Sequence, residues 1–296
     1  MKVMLVYNSH AAQNRAGKLL PEVETLFNKY GIEFHLFITD YPEHATEIVS
    51  NANLEEYDGI LAGGGDGTLF EVLNGYFKNP GTKKPPLGVL PVGTGNSFSL
   101  DLGLGPSKWE EAIEIISLNK PKKVDVGHFI THGQDYYYLN ILGVGFVADV
   151  TAIARKLKIF GNLSYTLGVL YRILFLRSKL MTVTMDGKPV TRNTIFVEVS
   201  NSRYTADFLM APNAKFDDGL LDITILRRAS RLRLLKSFPK IFTGEHIHLD
   251  EMEIYQAKKI TIESDVPGIL TPDGELLGIT PVEIECLPGA IEIFQK

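Results

Sequence analysis

Hydrophobic and polar positions follow two different rhythms along this chain. Through residues 1–126, short apolar runs of strand length at 2–7, 33–38, 59–62, 87–90 and 123–126 take turns with longer stretches at 16–30, 44–52, 68–77 and 108–118. In the longer stretches apolar residues recur every three to four positions, which puts them on one face of a helix. Strand and helix in alternation predict a Rossmann-like three-layer α/β domain with a mostly parallel sheet. Pro85-Pro86 and Gly103-Leu104-Gly105-Pro106 punctuate its loops.

Beyond residue 126 the rhythm shortens. Runs at 136–142, 180–185, 194–200, 221–226, 259–263, 282–286 and 290–294 have the length of strands, and helical spacing survives only at 147–158, 164–177 and 229–242. Asp186-Gly187 and Asp273-Gly274 supply the residues that tight hairpin turns demand. This half is expected to form a β-rich, antiparallel, sandwich-like domain. The expected division is 1–125 and 126–296, with the last strand free to return to the first domain.

A chain of 296 residues can build two such cores. Its 45% hydrophobic and 22% charged residues are ordinary for a globular protein. Cys286 is the only cysteine, which rules out an internal disulfide and a cysteine-rich metal site and suits a reducing cytoplasm. The seven histidines show no metal or triad spacing, and His246 and His248 read as loop or strand residues. The N-terminal apolar run is too short for a signal peptide. The most apolar window, 161–176, contains Arg172 and falls short of the ~20 residues that cross a bilayer, so no membrane span is expected.

The net charge of −5 conceals an uneven distribution. Residues 150–185 carry Arg155, Lys156, Lys158, Arg172, Arg177 and Lys179 with no acid, and residues 223–244 carry Arg227, Arg228, Arg231, Arg233, Lys236 and Lys240 with none either. Charged residues on helices ordinarily just face water. Here Ile159, Phe160, Leu170, Tyr171, Leu174 and Phe175 interleave the first window, and a basic, apolar surface is what a peripheral protein lays on anionic lipid. Nucleic acid is disfavoured by the negative total charge and by the lack of aromatics at stacking spacing.

The densest chemistry lies at Gly63-Gly64-Gly65-Asp66-Gly67-Thr68, between an apolar run and a helical pattern. Strand, glycine turn and helix in that order leave backbone N–H groups free at a helix N-terminus, where phosphate binds well. Glycines lack a Cβ, so a bulky anion can approach the main chain. Asp66 would repel that anion unless it serves a metal ion or a reacting proton. One strand later comes Pro91-Val92-Gly93-Thr94-Gly95-Asn96-Ser97, a second loop that a parallel sheet would bring to the same edge. The glycine spacing and the acid argue against a dinucleotide dehydrogenase.

These two loops, followed by Val124-Asp125-Val126-Gly127, Asn140-Ile141-Leu142-Gly143-Val144-Gly145, Ala211-Pro212-Asn213-Ala214, the stretch 217–222 and Asp273-Gly274-Glu275, resemble the diacylglycerol kinase catalytic-domain family in order through almost the whole chain. That family includes bacterial lipid kinases and sphingosine kinases, and it shares the triple-glycine motif with NAD kinases. The resemblance implies ATP-dependent transfer of the γ-phosphoryl to a lipid hydroxyl, in a cleft between an α/β domain and a β-rich domain. Such a site needs a phosphate cradle, a metal ion and a base. On the resemblance, Gly64, Gly65, Gly67 and Thr68 supply the cradle. Asp66 holds the nucleotide-bound Mg²⁺ or joins its charge network, Thr94 and Asn96 line the opposite wall, and Asn8 and Thr39 contact the nucleotide, with Arg15 and Lys18 beyond Asn8. Glu275 matches the family's general base. A structural site for Mg²⁺ or Ca²⁺ is implied at the Lys215 carbonyl, the Asp218 side chain and the Leu220 carbonyl, a hard all-oxygen set.

Two departures from the family pattern stand out. Ser97 occupies a position where many members carry Asp, which puts diacylglycerol itself in doubt as the acceptor. Asn8-Ser9-His10-Ala11-Ala12 replaces the usual Asn-Pro and lacks the following glycine. The expectation is a cytoplasmic, peripherally membrane-associated lipid kinase using Mg-ATP, with a diacylglycerol-, phosphatidylglycerol- or sphingoid-like acceptor. Its rivals are an NAD-kinase-like enzyme of a soluble acceptor and a non-catalytic lipid- or nucleotide-binding relative. Oligomeric state, a homodimer included, is left open.

Overall fold

The computed structural model describes residues 1–105, 107–156, 163–175, 177–206 and 208–296. The chain divides into two compact units, residues 1–124 with 289–296 and residues 125–288.

In the first unit, β1 (Lys2–Tyr7), β2 (Glu33–Ile38), β3 (Gly59–Gly64) and β4 (Leu87–Pro91) form a parallel sheet in the order β4-β3-β1-β2. Ile293, near the end of the chain, extends it by pairing in parallel with Leu87. β3 and β4 are buried at every residue and β1 at all but its first, as parallel strands covered on both faces must be. The cover comes from helices: α1 (Ala11–Lys29) packs with α5 (Trp109–Ser117), and α2 (His44–Asn51) packs with α3 (Asp66–Lys78). Edge strand β2 has only exposed and half-buried residues, as an edge should. A short helix, α4 (Ser97–Asp101), follows β4 and has no counterpart in the expected elements.

α1 begins irregularly. Ala12, Gln13 and Asn14 have φ of 51°, 58° and 66°, so a left-handed turn separates the first loop from the regular helix. Gly17 N–H donates to the Ser9 carbonyl and Tyr7 Oη donates to the Ala16 carbonyl (2.7 Å), fastening that turn to the end of β1. Burial pushes the Tyr7 hydroxyl up to about 12.

The second unit is antiparallel. Its hub is β9 (Lys188–Ser200), whose first half pairs with β8 (Lys179–Met185) and whose second half pairs with β7 (Ile141–Gly145). On its other side β9 pairs with β12 (Leu221–Arg227), which pairs with β13 (Met252–Ala257). β14 (Lys259–Ser264) joins β8 to the first half of β16 (Val282–Phe294), and β15 (Leu270–Pro272) pairs with β7. Because two strands share one side of β9, the sheet splits into layers, the sandwich-like arrangement expected. Asp186 and Gly187, with φ of 46° and 82°, close the β8–β9 hairpin as predicted. An apolar cluster on β9 and β12 (Phe196, Leu226) packs with Val150, Val169 and Ile173 from α6 (Phe146–Lys156) and α7 (Leu163–Leu174).

Three expectations change. The run 136–142 is two strands, β6 (Gln134–Tyr138) and β7, broken at Leu139-Asn140. The runs 282–286 and 290–294 are one strand, β16. The region 229–242 holds only α8 (Arg231–Ser237) before a 3₁₀ turn at Phe238–Ile241, and Glu245–His248 form another 3₁₀ turn rather than loop or strand.

Candidate active site

Because β2, β1, β3 and β4 run parallel, their C-terminal ends share one edge, where ligands of open α/β sheets bind. That edge gathers Thr39 after β2, Asn8 after β1, 64–68 after β3 and 94–97 after β4. The hydrogen-bond ladder continues past the strands: Thr39 N–H donates to the Tyr7 carbonyl, and Asn8 N–H donates to the Gly63 carbonyl (2.8 Å). Asn8 Nδ2 reaches Thr68 Oγ1 at 3.5 Å, and Asn8 Oδ1 accepts from His10 N–H.

The two glycine loops are locked together. Gly93 N–H donates to the Gly64 carbonyl and Asp66 N–H to the Gly95 carbonyl, both at 2.9 Å. This contact, more than an approaching anion, explains the glycines. A Cβ on Gly93 would lie 2.4 Å from Gly65 Cα, one on Gly65 2.6 Å from the Gly95 carbonyl, and one on Gly64 2.2 Å from Thr68 Oγ1. The space freed at 64 and 65 is therefore filled by protein atoms. What remains for an anion is the first turn of α3, where the N–H groups of Gly67 and Thr68 have no backbone acceptor among the described residues.

Asp66 is the first residue of that helix, and its carboxylate turns to the second loop. Oδ2 accepts from Ser97 N–H (3.0 Å) and Ser97 Oγ (2.9 Å), and Oδ1 accepts a long bond from Phe98 N–H (3.4 Å). The acid is thus fixed by donors from the second loop. Asn96 is buried; its Nδ2 donates to the Gly93 carbonyl, while its Oδ1 has no partner. Thr94 is exposed at the loop tip. The edge so offers free amides, an orphaned buried carbonyl and a fixed carboxylate, a donor and acceptor set that fits a phosphate chain with a hard cation.

In the second unit, Asp273 and Gly274 have φ of 45° and 82°, and Glu275 N–H closes the turn on the Pro272 carbonyl (2.7 Å). The buried Asp273 carboxylate accepts from the N–H groups of Leu139, Asn140 and Ile141 at 2.9–3.0 Å. It ties the turn to the break between β6 and β7, and so sets where Glu275, half-buried, is presented. In the sequence Asp273 stands out as a turn residue and as part of the Asp273-Gly274-Glu275 motif, with no role of its own.

The acidic loop is also organised by a residue given no role beforehand. Asp125, buried in β5 (Pro121–Thr131), accepts from Gly219 N–H (2.6 Å), and its own N–H donates to the Phe216 carbonyl (2.7 Å). Asp218 is exposed and its Oδ1 accepts from Leu220 N–H (3.1 Å). Burial pushes Asp222 up to about 6, and Asp218 adds to the shift; burial likewise pushes the Cys286 thiol up to about 12, helped by Asp125 and Asp218. This negative field fits a hard cation at Lys215, Asp218 and Leu220. Among the described residues no three His, Cys, Asp or Glu side chains are arranged to hold a metal, so a cation here would need carbonyl donors.

Of the basic windows, Lys158, Ile159 and Phe160 lie outside the described residues, as do the side chains of Arg155, Lys156, Arg172 and Leu174. Tyr171 and Phe175 are half-exposed with ring centroids 5.1 Å apart, and Leu170, Leu232, Leu235 and Phe242 are exposed as well. Among the described residues no helix is long and apolar enough to cross a membrane.

Two family profiles match the chain: the Diacylglycerol kinase catalytic domain over residues 2–129 and the YegS C-terminal NAD kinase beta sandwich-like domain over residues 140–295. A diacylglycerol kinase of Bacillus subtilis (strain 168) is 30% identical over 285 residues, covering 95% of this chain and 92% of its own. One of Staphylococcus carnosus is 28% identical, covering 99% and 94%. A crystal structure of a diacylglycerol kinase from Bacillus anthracis (Sterne) aligns at 25% identity with a TM-score of 0.75. A second structure from that organism aligns at 28% and 0.83, and both alignments cover 100% of this chain and 97% of the other.

Proposed function

The chain belongs to the diacylglycerol kinase catalytic-domain family, and on that premise we propose that it is a lipid kinase moving the γ-phosphoryl of Mg-ATP to a lipid hydroxyl. The observation that carries this reading is the pair of locked glycine loops at the C-terminal edge of the parallel sheet, with Asp66 fixed between them.

The N–H groups of Gly67 and Thr68 bind the phosphate chain, with the positive end of α3 behind them. Asn8 holds Thr68 in place, and Thr39, Thr94 and Asn96 complete the nucleotide contacts. Mg²⁺, when bound with ATP, would neutralise phosphate charge, and the Asp66 carboxylate would hold it or one of its waters. Glu275 accepts the proton of the attacking hydroxyl as the hydroxyl oxygen bonds to Pγ; the bond from Pγ to the β,γ-bridging oxygen breaks and ADP leaves. Lys215, Asp218 and Leu220 would hold a second, structural Mg²⁺ or Ca²⁺. The exposed apolar residues and cations of the second unit bring the enzyme to an anionic membrane from the cytoplasm.

Incubating the protein with γ-labelled ATP and diacylglycerol, monoacylglycerol, phosphatidylglycerol, ceramide, sphingoid bases and NAD tests this reading. Label in one lipid class is expected. Label in NAD alone would overturn it in favour of a soluble acceptor, and no label anywhere would favour a non-catalytic relative.

A further inference from the structure

Glu198 is an acid set in the interior of the second unit without a cation. It stands on β9 opposite Gly143 of β7 and Thr224 of β12, and only 1% of it is exposed. Its Oε1 accepts from Thr205 Oγ1 (3.1 Å) and from Ser200 Oγ (3.4 Å), while its Oε2 has no partner. Tyr138 of β6 is close enough to sense the carboxyl, and its own buried hydroxyl has no partner either. On β12 the nearest acid is Asp222, across from Ser200. Among the described residues no basic side chain bonds Glu198. A carboxyl so placed favours its neutral form, because two hydroxyl donors do not offset the loss of water around a charge.

One part of its cover is weakly built. Thr205 belongs to β10 (Tyr204–Thr205), which pairs only with β11 (Phe208–Leu209), through Tyr204 with Leu209 and Thr205 with Phe208. A hairpin of two residue pairs has little stability of its own. Its turn includes Ala206 at φ 51°, a left-handed conformation that alanine resists. At the base, Ala211 N–H donates to the Arg203 carbonyl (3.1 Å), and Arg203 itself lies over the Tyr204 ring. Phe208 packs edge-on against Phe238 and Phe242, with centroids 6.0 and 5.2 Å away. By contrast β9 is paired along both sides. Water therefore reaches Glu198 most readily by displacing the hairpin.

We propose that Glu198 is a protonation latch on this hairpin: the neutral carboxyl keeps β10 and β11 closed through Thr205, and the ionised carboxylate opens them to gain water. The closed state keeps the proton and the open state releases it. Burial pushes the closed carboxyl up to about 7, so opening becomes more frequent as pH rises from 4.5 towards 7 and levels off above. Asp222, also pushed up by burial, acts in the same direction. His246, whose Nε2 contacts the Met210 carbonyl beside β11, is pushed down by burial and acts in the opposite one. Asp207, in the turn, lies outside the described residues. The latch needs neither nucleotide nor acceptor.

Amide hydrogen exchange of the whole protein at pH 5, 6 and 7, read by mass spectrometry on the peptide 203–211, tests it. Protection, corrected for the intrinsic pH dependence of exchange, is expected to fall ~10-fold per pH unit, as one proton released per opening requires. It should not respond to about 1 M urea, because the opening is local, whereas protection of β9 and β12 should. Glu198→Gln should flatten the pH dependence, while Asp207→Asn and Asp222→Asn should keep most of it. Thr205→Val should lower protection at pH 5 by ~2–10-fold. A wild-type profile flat between pH 5 and 7 would overturn the latch whether or not the variants fold. So would a slope that survives in Glu198→Gln, one that is lost in Asp207→Asn or Asp222→Asn, or one seen only in urea-sensitive exchange.

Discussion

A carboxylate placed among amides meant for phosphate needs donors of its own, and Asp66 finds them on Ser97. The two residues are 31 positions apart, so the partnership is invisible until β3 and β4 lie side by side. The glycine motif was legible as a phosphate loop; that its glycines also make room for a second loop was not, because the contact is between strands. Removing the hydroxyl in Ser97→Ala should cost about 1.5–3 kcal/mol, the value of a hydrogen bond to a charged group, in urea unfolding. Ser97→Asp would set a second carboxylate where Oγ now lies 2.9 Å from Asp66 Oδ2, and two acids so close ionise together only around a cation. Its melting temperature should fall without divalent metal and recover with Mg²⁺; a response to Mg²⁺ no larger than the wild type's would contradict this account of Asp66. At Gly93 an added Cβ meets backbone, which cannot yield as a flexible side chain would. Gly93→Ala should therefore destabilise by ~1–3 kcal/mol and weaken ATP binding.

At the scale of elements, long periodic segments were readable and polar or very short ones were not. β1 and β2 coincide with the expected runs at 2–7 and 33–38. β13 (Met252–Ala257) went unseen because Glu253 and Gln256 interrupt its short apolar run, as suits an edge strand that buries only Ala257. The break inside 136–142 was hidden because its cause, the Asp273 carboxylate, is over 130 residues away. Asp273→Ala should leave three backbone N–H groups without their acceptor, lowering stability by at least ~2 kcal/mol and activity together, with a far smaller loss in Asp273→Asn.

Elsewhere in this unit, burial pushes the Glu198 carboxyl on β9 from 4.5 to about 7, against weaker opposing bonds from Thr205 and Ser200. The folded protein then holds a proton that the unfolded chain releases, so stability falls as pH rises from about 4.5 to 7 and levels off above, by ~3 kcal/mol at most. Glu198→Gln keeps the group neutral. Urea unfolding should show it gaining on the wild type between pH 5 and 7.5; parallel stability curves would refute the assignment.

For the molecule as a whole, the two rhythms of the sequence correspond to a parallel α/β unit and an antiparallel β-rich unit. The chain passes between them within β5 and again within β16. The motif order gave the family and the chemistry to expect. It did not give the acceptor, because generic apolar residues carry no motif. The charge windows were visible as composition, yet only the fold shows that Arg227 and Arg233 pair with Glu253 and Glu251.

The proposed phosphoryl transfer depends on both Asp66 and Glu275. Transfer of label from γ-labelled ATP to the preferred lipid should fall at least ~100-fold in both Asp66→Asn and Glu275→Gln, a range typical for removal of a general base, while each variant melts within a few degrees of wild type. Wild-type transfer by either folded variant would contradict it.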